Sequence, residues 1–164
     1  MLNYLLVLLI SMVPVIELRG AIPIGIYGLW PLSEALPVVP VTVISIIGNM
    51  IPVPFLILFG GKVLHWLASY PKFGKPFRKI LEIGEKKVAK MNATVRKALF
   101  WGLFTFVAIP LPGTGAWTGA LIAITLSLPL KKSILPISCG VLGAGGIILT
   151  LFYFAPELFM KLVG

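Results

Sequence analysis

Apolar residues form four blocks along this chain, and one extended polar stretch lies between the second and third blocks. The blocks at 35–60 and 133–156 are uninterrupted, and each reaches the roughly 20 residues that a helix needs to cross the core of a bilayer. The blocks at 1–30 and 98–128 are interrupted by proline, glycine and polar residues. The pattern predicts two transmembrane helices and two broken apolar blocks.

The breaks in the two interrupted blocks fall at Glu17–Pro23 and at Pro110–Gly115. They leave arms such as 2–16 and 24–30, and apolar arms of about 7 to 15 residues are typical of re-entrant segments. We therefore expect two helical hairpins, each of which leaves the membrane on the side it entered. The alternative, in which both arms of a hairpin cross fully, gives the same sidedness and stays open.

The polar stretch at 62–97 holds ten of the fourteen Lys and Arg residues, with apolar residues at roughly helical spacing between them. This pattern predicts a basic amphipathic helix on an anionic membrane surface. Basic loops stay in the cytoplasm, so we expect this segment to be cytoplasmic, with Lys131 and Lys132 on the same side. A solvated loop that only sets the topology is the alternative, and nucleic-acid binding is not expected.

The order of elements predicts an all-α integral membrane protein with a single domain over 1–164. Two inverted repeats, each a re-entrant hairpin and a transmembrane helix, are joined by the basic amphipathic helix. Residues 31–37 and 129–136 share a Pro-Leu start, a Ser and a closing Pro, which supports two related halves. Inverted repeats place the substrate site near the membrane midplane, where broken helices meet.

Composition narrows the chemistry that this chain can perform. Hydrophobic residues make up 59% of it and charged residues 12%, and the mean hydropathy is +1.05, as expected for a membrane protein. Asp is absent, and His65 and Cys139 are alone. These counts exclude an internal disulfide, most zinc sites and a Ser-His-Asp triad. We expect no enzyme activity, no metal and no cofactor.

Glu17 and Arg19 are the charges predicted to lie deepest in the membrane, because the residues on either side carry none. An ionised group in hydrocarbon costs from about 2.5 to above 10 kcal/mol, which favours a functional role. Arg19 has the forked donors that suit a phosphate or carboxylate, and Glu17 is the candidate proton-coupling acid. The alternative is an ion pair that only holds the break together.

The second break, Gly113-Thr114-Gly115, precedes an apolar helix. We expect Thr114 to act as the N-cap and the free N–H groups of the helix to bind an anion. Trp117 either stacks against substrate or packs, and Asn49 is expected to bond carbonyls freed near Pro52. The predicted substrate-binding residues all lie at the two breaks: Arg19, Gly20, Gly113, Thr114, Gly115 and Trp117.

Two motifs, Glu17–Pro23 and Pro110–Gly119, resemble those of the small multidrug export protein family, and the resemblance covers essentially the whole chain. The order of elements is also similar to that of the DedA/VTT superfamily. The resemblance implies two facing re-entrant hairpins and either lipid-phosphate transport or proton-coupled export. DedA proteins typically have arginines in the second hairpin, whereas 98–128 contains none. Arg19 would therefore have to provide the charge for a phosphate, with help from the helix N-terminus or from Arg96 and Lys97.

Together these observations predict a multi-pass cell-membrane transporter or flippase, coupled to protons, for an amphiphilic substrate. The substrate is an anionic lipid phosphate or a small drug-like molecule. An anionic lipid would use both tip charges, whereas a cationic drug would leave Arg19 unexplained. The alternative function is a non-transporting scaffold or biogenesis factor. The expected partners are membrane lipids and a second copy of the chain. A dimer is expected because two spans and two hairpins are few helices to enclose a transport path.

Overall fold

The computed structural model describes residues 1–71, 74–89, 91–111 and 113–163, without the side chains of 84, 85, 87–89 and 160–163. Lys72, Lys90 and Pro112 of the predicted motifs lie outside the described residues. Every regular element in these ranges is a helix. The helices are α1 Leu2–Met12, α2 Glu17–Tyr27, α3 Val38–Met50, α4 Pro52–Ser69, α5 Gly74–Ala89, α6 Ala93–Ala108, α7 Ala116–Thr125, α8 Leu130–Phe154 and α9 Pro156–Val163.

Two stretches of helix are long and apolar enough to cross a membrane. Val38–Ser69 joins α3 and α4 over 32 residues, and Leu130–Phe154 is the 25-residue helix α8. The joint between α3 and α4 falls at Ile51, before Pro52, because proline has no N–H to continue the helical ladder. The all-helical fold with two long apolar helices is consistent with a membrane protein.

Three of the four hairpin helices are much shorter, whereas α6 has 16 residues. Helices α1 and α2 have 11 residues each and α7 has 10. At a rise of 1.5 Å per residue, each of these covers about half of a 30 Å hydrocarbon core. These lengths favour re-entrant arms, and re-entrance itself stays a prediction.

The break in the first hairpin is not where the sequence placed it. Helix α1 ends at Met12, and α2 begins at Glu17 and runs through Pro23. The predicted break at Glu17–Pro23 is therefore wrong. Pro14 ends α1, because proline disfavours helical backbone in the residue before it and supplies no N–H. Glu17 thus lies at the start of a helix.

The basic segment is also divided differently from the prediction. Helix α4 extends to Ser69, so the first residues of 62–97 continue the second apolar block as a helix. The amphipathic helix α5 covers Gly74–Ala89. Helix α6 then begins at Ala93, where the Asn92 side chain accepts a hydrogen bond from the Val95 N–H at 2.8 Å and caps the helix.

The two halves of the molecule pack in a similar order. Helix α1 packs on α2 and α3, α6 packs on α8, and α3 contacts α8 between them. Glycines of α8 permit the close approach of α6 and α3. A Cβ at Gly140 would lie 2.6 Å from the Val107 Cβ on α6, and one at Gly145 would lie 2.7 Å from Ile46 on α3. The inverted repeat itself stays a prediction.

Hydrogen bonds tie the open end of the first hairpin to the loop before α3. The Asn3 amide donates to the Ser33 hydroxyl at 3.0 Å and to the Glu34 carboxylate at 3.3 Å. The start of α1 and this loop therefore lie at one end of the molecule. This is the geometry of a hairpin that returns to its own side, and two full crossings would give it too.

Apolar side chains cover much of the outer surface. Exposed examples occur on most helices, including Leu5, Phe55, Trp101, Leu142 and Phe154. Soluble monomers rarely expose so much contiguous apolar surface. A lipid environment accounts for these side chains.

Candidate functional site

The Glu17 carboxylate joins the two hairpins. Glu17 begins α2, its residue is 5% exposed, and its Oε1 accepts a hydrogen bond from the Trp117 backbone N–H at 3.1 Å. Trp117 is the second residue of α7. Helix N-termini carry unpaired N–H groups and partial positive charge. One carboxylate therefore lies where the N-termini of α2 and α7 meet.

The predicted cap of α7 is wrong. The N-cap position belongs to Gly115, with no side-chain cap hydrogen bond. The Thr114 hydroxyl instead bonds within its own loop, where it accepts from the Leu111 N–H at 3.1 Å and lies 2.5 Å from the Ile109 carbonyl oxygen. Glu17 takes the place of the cap, because a carboxylate forms stronger hydrogen bonds with backbone N–H groups than a hydroxyl does.

Gly115 gives the carboxylate room to reach α7. Its φ is +144°, and a Cβ built on it would overlap the Glu17 carboxylate. Gly113 also has a positive φ, +86°, but a Cβ there would meet nothing within 4 Å. Gly20 faces its own hairpin, since a Cβ there would lie 2.6 Å from Ile16 Cγ2. Of these three predicted glycines, Gly115 has the direct contact with a charged group.

Trp117 forms a second link between the hairpins. Its indole Nε1 donates to the Met12 carbonyl oxygen at 3.1 Å. Met12 is the last residue of α1, and the carbonyls of a last helical turn have no partner within the helix. The backbone N–H of Trp117 thus binds the start of α2, and its side chain binds the end of α1. This geometry favours packing over substrate stacking.

Arg19 does not pair directly with Glu17. Among the described side chains, no ion pair within 4.0 Å joins them, so the interpretation of a salt bridge within the hairpin is wrong. Arg19 instead binds its own turn, with Nη2 2.7 Å and Nε 3.3 Å from the Val15 carbonyl oxygen. Two of the five guanidinium N–H groups make these bonds. Arg19 is half-buried and keeps donors for another ligand.

Val15 has an unusual backbone conformation in the turn that Arg19 binds. Its φ is +76°, a region that β-branched residues avoid at a cost on the order of 1 to 3 kcal/mol. Strained turns cluster at functional sites, where the surrounding structure holds them. The two hydrogen bonds from Arg19 are the described contacts that hold this carbonyl in place.

A small cavity lies between the two tips. Glu17, Arg19, Asn49, Thr114 and Gly115 contribute to its lining, and its volume is about 10 Å³. A space of this size is at the lower limit for one water molecule. The tips are therefore in contact, and this conformation holds no space for an amphiphile between them.

Asn49 does not have the structural role predicted for it. It is fully buried in α3, and neither its side-chain nitrogen nor its oxygen has a hydrogen-bond partner in the described part of the chain. The expected bonds to carbonyls near Pro52 are therefore wrong. The sequence did contain a signal for a functional role, namely an amide side chain in the middle of an apolar span. Burying such a polar group without a partner is costly, so it favours a functional site.

The site offers few ligands for a metal. Within the described ranges, no three His, Cys, Asp or Glu side chains come together. Glu17, Asn49 and Thr114 provide three side chains with oxygen atoms, whereas Ca²⁺ takes six to eight oxygen ligands. The chemistry that the site supports is binding of small polar or anionic groups by N–H donors, together with proton uptake by a carboxyl group.

The comparisons with known proteins identify the family of this chain. No curated protein and no solved structure matches the chain. A family match covers residues 17–147, so it includes Glu17, Arg19 and the second tip. On this match the chain belongs to the family described as "Putative small multi-drug export protein".

Proposed function

We propose that this chain is a membrane transporter or flippase that moves an amphiphilic anion between the hairpin tips and couples this movement to a proton on Glu17. The observation that carries the proposal is the Glu17 carboxylate bound at the N-terminus of α7. This N-terminus already accommodates an anionic oxygen, and Arg19 lines the same cavity. Phosphate and carboxylate headgroups present the same kind of oxygen to N–H donors.

Proton coupling follows because the Glu17 carboxylate and the substrate anion compete for one backbone N–H group. The Glu17 carboxylate and an incoming anion exclude each other at the Trp117 N–H. A proton on Glu17 removes its charge and weakens its interaction with the positive end of α7. The substrate anion then takes the vacated position, with Arg19 as a second donor. Proton and anion are bound together, so they move in the same direction.

A cationic substrate would reverse the sign of the coupling. It would pair with the ionised Glu17 and exclude the proton, which gives exchange of substrate for proton. It would also leave Arg19 and the two helix N-termini without a role, because all of these favour negative charge. The anionic assignment uses each of these groups.

The test is transport in proteoliposomes of phosphatidylcholine that contain fluorescently labelled phosphatidylglycerol and an internal pH-sensitive dye. We expect the full chain to move labelled lipid faster than empty vesicles, with protons moving in the same direction. Glu17→Gln keeps an oxygen acceptor for α7 but removes the titrating group, and Arg19→Ala removes the second donor. Each should slow transport at least tenfold, whereas the exposed controls Glu157→Gln and Arg78→Ala should not.

Three results would contradict the proposal. Well-folded Glu17→Gln and Arg19→Ala variants that both transport at the wild-type rate would exclude the tip site. Ethidium transport that depends on Glu17 but not on Arg19, with protons exchanged, would replace the anion by a cation. Vesicles containing wild-type protein that move neither probe would favour the alternative function.

The alternative function is a non-transporting scaffold or biogenesis factor, and the closed contact between the tips favours it, since the cavity there is only about 10 Å³. In this function the basic face of α5 would bind the partner or membrane. Replacing Lys75, Arg78 and Lys79 by glutamate should then abolish complementation in cells that lack the protein, while Arg19→Ala should not. The transporter proposal predicts the opposite result for Arg19→Ala.

A further inference from the structure

A second, larger cavity lies away from the hairpin tips, between the start of α6 and the start of α8. Its volume is about 220 Å³, and its walls are mainly apolar, with Leu99, Phe100, Leu103, Leu128 and Leu135 among the lining residues. It shares no lining residue with the tip cavity. The proposed transport does not explain this cavity.

Three cationic side chains surround this apolar space. Arg96 belongs to the second turn of α6, and Lys131 and Lys132 belong to the first turn of α8. All three are exposed. None of the described residues that line the cavity is acidic. The ion pair recorded among the described side chains joins Lys86 to Glu82, so no described carboxylate lies within 4.0 Å of these cations.

The apolar surface continues from this cavity along α6. An adjoining space of about 440 Å³ shares Leu99, Leu103 and Leu128 with it and extends to Phe106 on α6 and Ile122 on α7. Its described lining is entirely uncharged. Gly102 lies in this groove, and a Cβ built on it would meet nothing within 4 Å. The groove is therefore open along one side of α6.

We infer that this groove binds one anionic phospholipid, with its phosphate at Arg96, Lys131 and Lys132 and an acyl chain along α6 towards Phe106. Charge complementarity argues for this occupant, because cations at one end and an uncharged groove leading away match an anionic headgroup and its chain. Basic pockets between membrane helices bind such headgroups. A zwitterionic lipid would fill the groove but would not neutralise the cations.

This binding site is independent of the proposed transport, because it requires no opening of the tips and no proton on Glu17. It also gives Lys131 and Lys132 a shared role with Arg96, although they are more than thirty positions apart in the chain. The anionic lipid would join α6 to α8 at the end of the molecule where the basic segment lies.

The test is native mass spectrometry of the purified full chain in neutral detergent, titrated with phosphatidylglycerol and phosphatidylcholine of identical chains. We expect wild type to bind phosphatidylglycerol at least tenfold more tightly. Each cation near a membrane surface contributes about a fivefold factor in affinity. Replacing Arg96, Lys131 and Lys132 together by alanine should remove the preference. The matched control is Lys75, Arg78 and Lys79 replaced by alanine, which should keep it.

A second pair of variants tests the acyl-chain groove separately from the charges. Gly102→Phe should fill the groove without displacing packed atoms and should weaken phosphatidylglycerol binding at least fivefold. Gly146→Phe is its control, because Gly146 on α8 is also a glycine where a Cβ would meet nothing within 4 Å. Thermal unfolding of each variant identifies those that fail to fold. If the triple alanine variant does not fold, a variant in which arginine replaces both Lys131 and Lys132 keeps the three positive charges and should bind phosphatidylglycerol as wild type does.

The inference is overturned by any of four results. Wild type could bind both lipids equally, or the alanine variant could keep the preference, and in either case the cations have no role. Gly102→Phe could bind as tightly as Gly146→Phe, which would exclude the acyl chain from the groove. Glycerol 3-phosphate could bind as tightly as phosphatidylglycerol, which would replace the lipid by a soluble phosphate.

Discussion

The two hairpin tips perform different parts of one contact. The tip between α1 and α2 carries both charges: Glu17 reaches across to α7, and Arg19 binds its own turn. The tip between α6 and α7 carries no charge, and Thr114 satisfies the loop internally. It supplies a helix N-terminus and, at Gly115, the space that a carboxylate needs.

The difference shows that neither tip forms the site alone. Without α7, the Glu17 carboxylate would lose its hydrogen bond to the Trp117 N–H. Without Glu17, the α7 N-terminus would lose the acceptor that replaces its missing N-cap side chain. A buried donor without an acceptor costs about 1 to 3 kcal/mol. The following predictions remove one part of the contact at a time.

The largest effect is expected from Gly115→Ala. The added methyl group would overlap the Glu17 carboxylate, and alanine disfavours a φ of +144°. Overpacking and backbone strain together should lower the free energy of unfolding by about 3 kcal/mol. Thermal unfolding in detergent, followed by circular dichroism, measures the change. The control Gly102→Ala should be neutral or stabilising, and equal effects at both glycines would contradict the described contact.

The next effect separates the hydrogen bond of Glu17 from its charge. Glu17→Ala leaves the Trp117 N–H unpaired and should cost about 2 kcal/mol of unfolding free energy. Glu17→Gln keeps an oxygen acceptor and should cost less than half of that. The same thermal unfolding measurement compares them, with exposed Glu157→Ala as control. If alanine and glutamine destabilise equally, the Glu17 side chain does not bind α7.

A smaller effect is expected from Trp117→Phe. Phenylalanine preserves most of the packing but removes the Nε1–H that donates to the Met12 carbonyl. The loss of one such hydrogen bond should cost about 1 kcal/mol. Trp101→Phe on the exposed surface of α6 is the matched control and should cost almost nothing. Similar unfolding temperatures for the two variants would show that the indole does not hold the end of α1.

The smallest effect is a coupling energy. The Thr114 hydroxyl and the Glu17 carboxylate share no hydrogen-bond partner. Because the two residues line one cavity, Thr114→Val and Glu17→Gln should couple, but only by about 0.5 kcal/mol, at the low end of the range for neighbouring residues. A double-mutant cycle measures this term. A coupling well above that value would mean that the second tip is not self-contained.

The sequence locates the second tip well and the first one poorly. Pro110, Gly113 and Gly115 are local signals that all break a helix, and α6 and α7 end and begin close to the predicted positions. At the first tip, Gly20 and the charges drew the predicted break towards Glu17–Pro23. The turn instead forms at Pro14, which ends α1. Pro23 does not interrupt α2, which continues to Tyr27.

The contact between the tips had no local signal. Glu17 and Trp117 are 100 positions apart, and a pairing at that separation depends on how whole hairpins pack. Thr114 fits the sequence pattern of an N-cap, so its hydroxyl was the predicted acceptor for α7. The Glu17 carboxylate is a stronger acceptor but is distant in the sequence. The sequence likewise does not indicate that the Asn49 amide has no hydrogen-bond partner among the described residues, because this depends on which groups face α3 across the cavity.

The position of Glu17 also has a consequence for how tightly any ligand is measured to bind. A carboxylate attached to the same chain acts at the α7 N-terminus at a fixed, high effective concentration, on the order of millimolar or more for a short tether. Every free anion must therefore compete with the Glu17 carboxylate for the α7 N-terminus. Weak apparent affinity while Glu17 is ionised is therefore compatible with a selective site, whose intrinsic strength emerges when Glu17 is replaced by a residue that cannot reach α7.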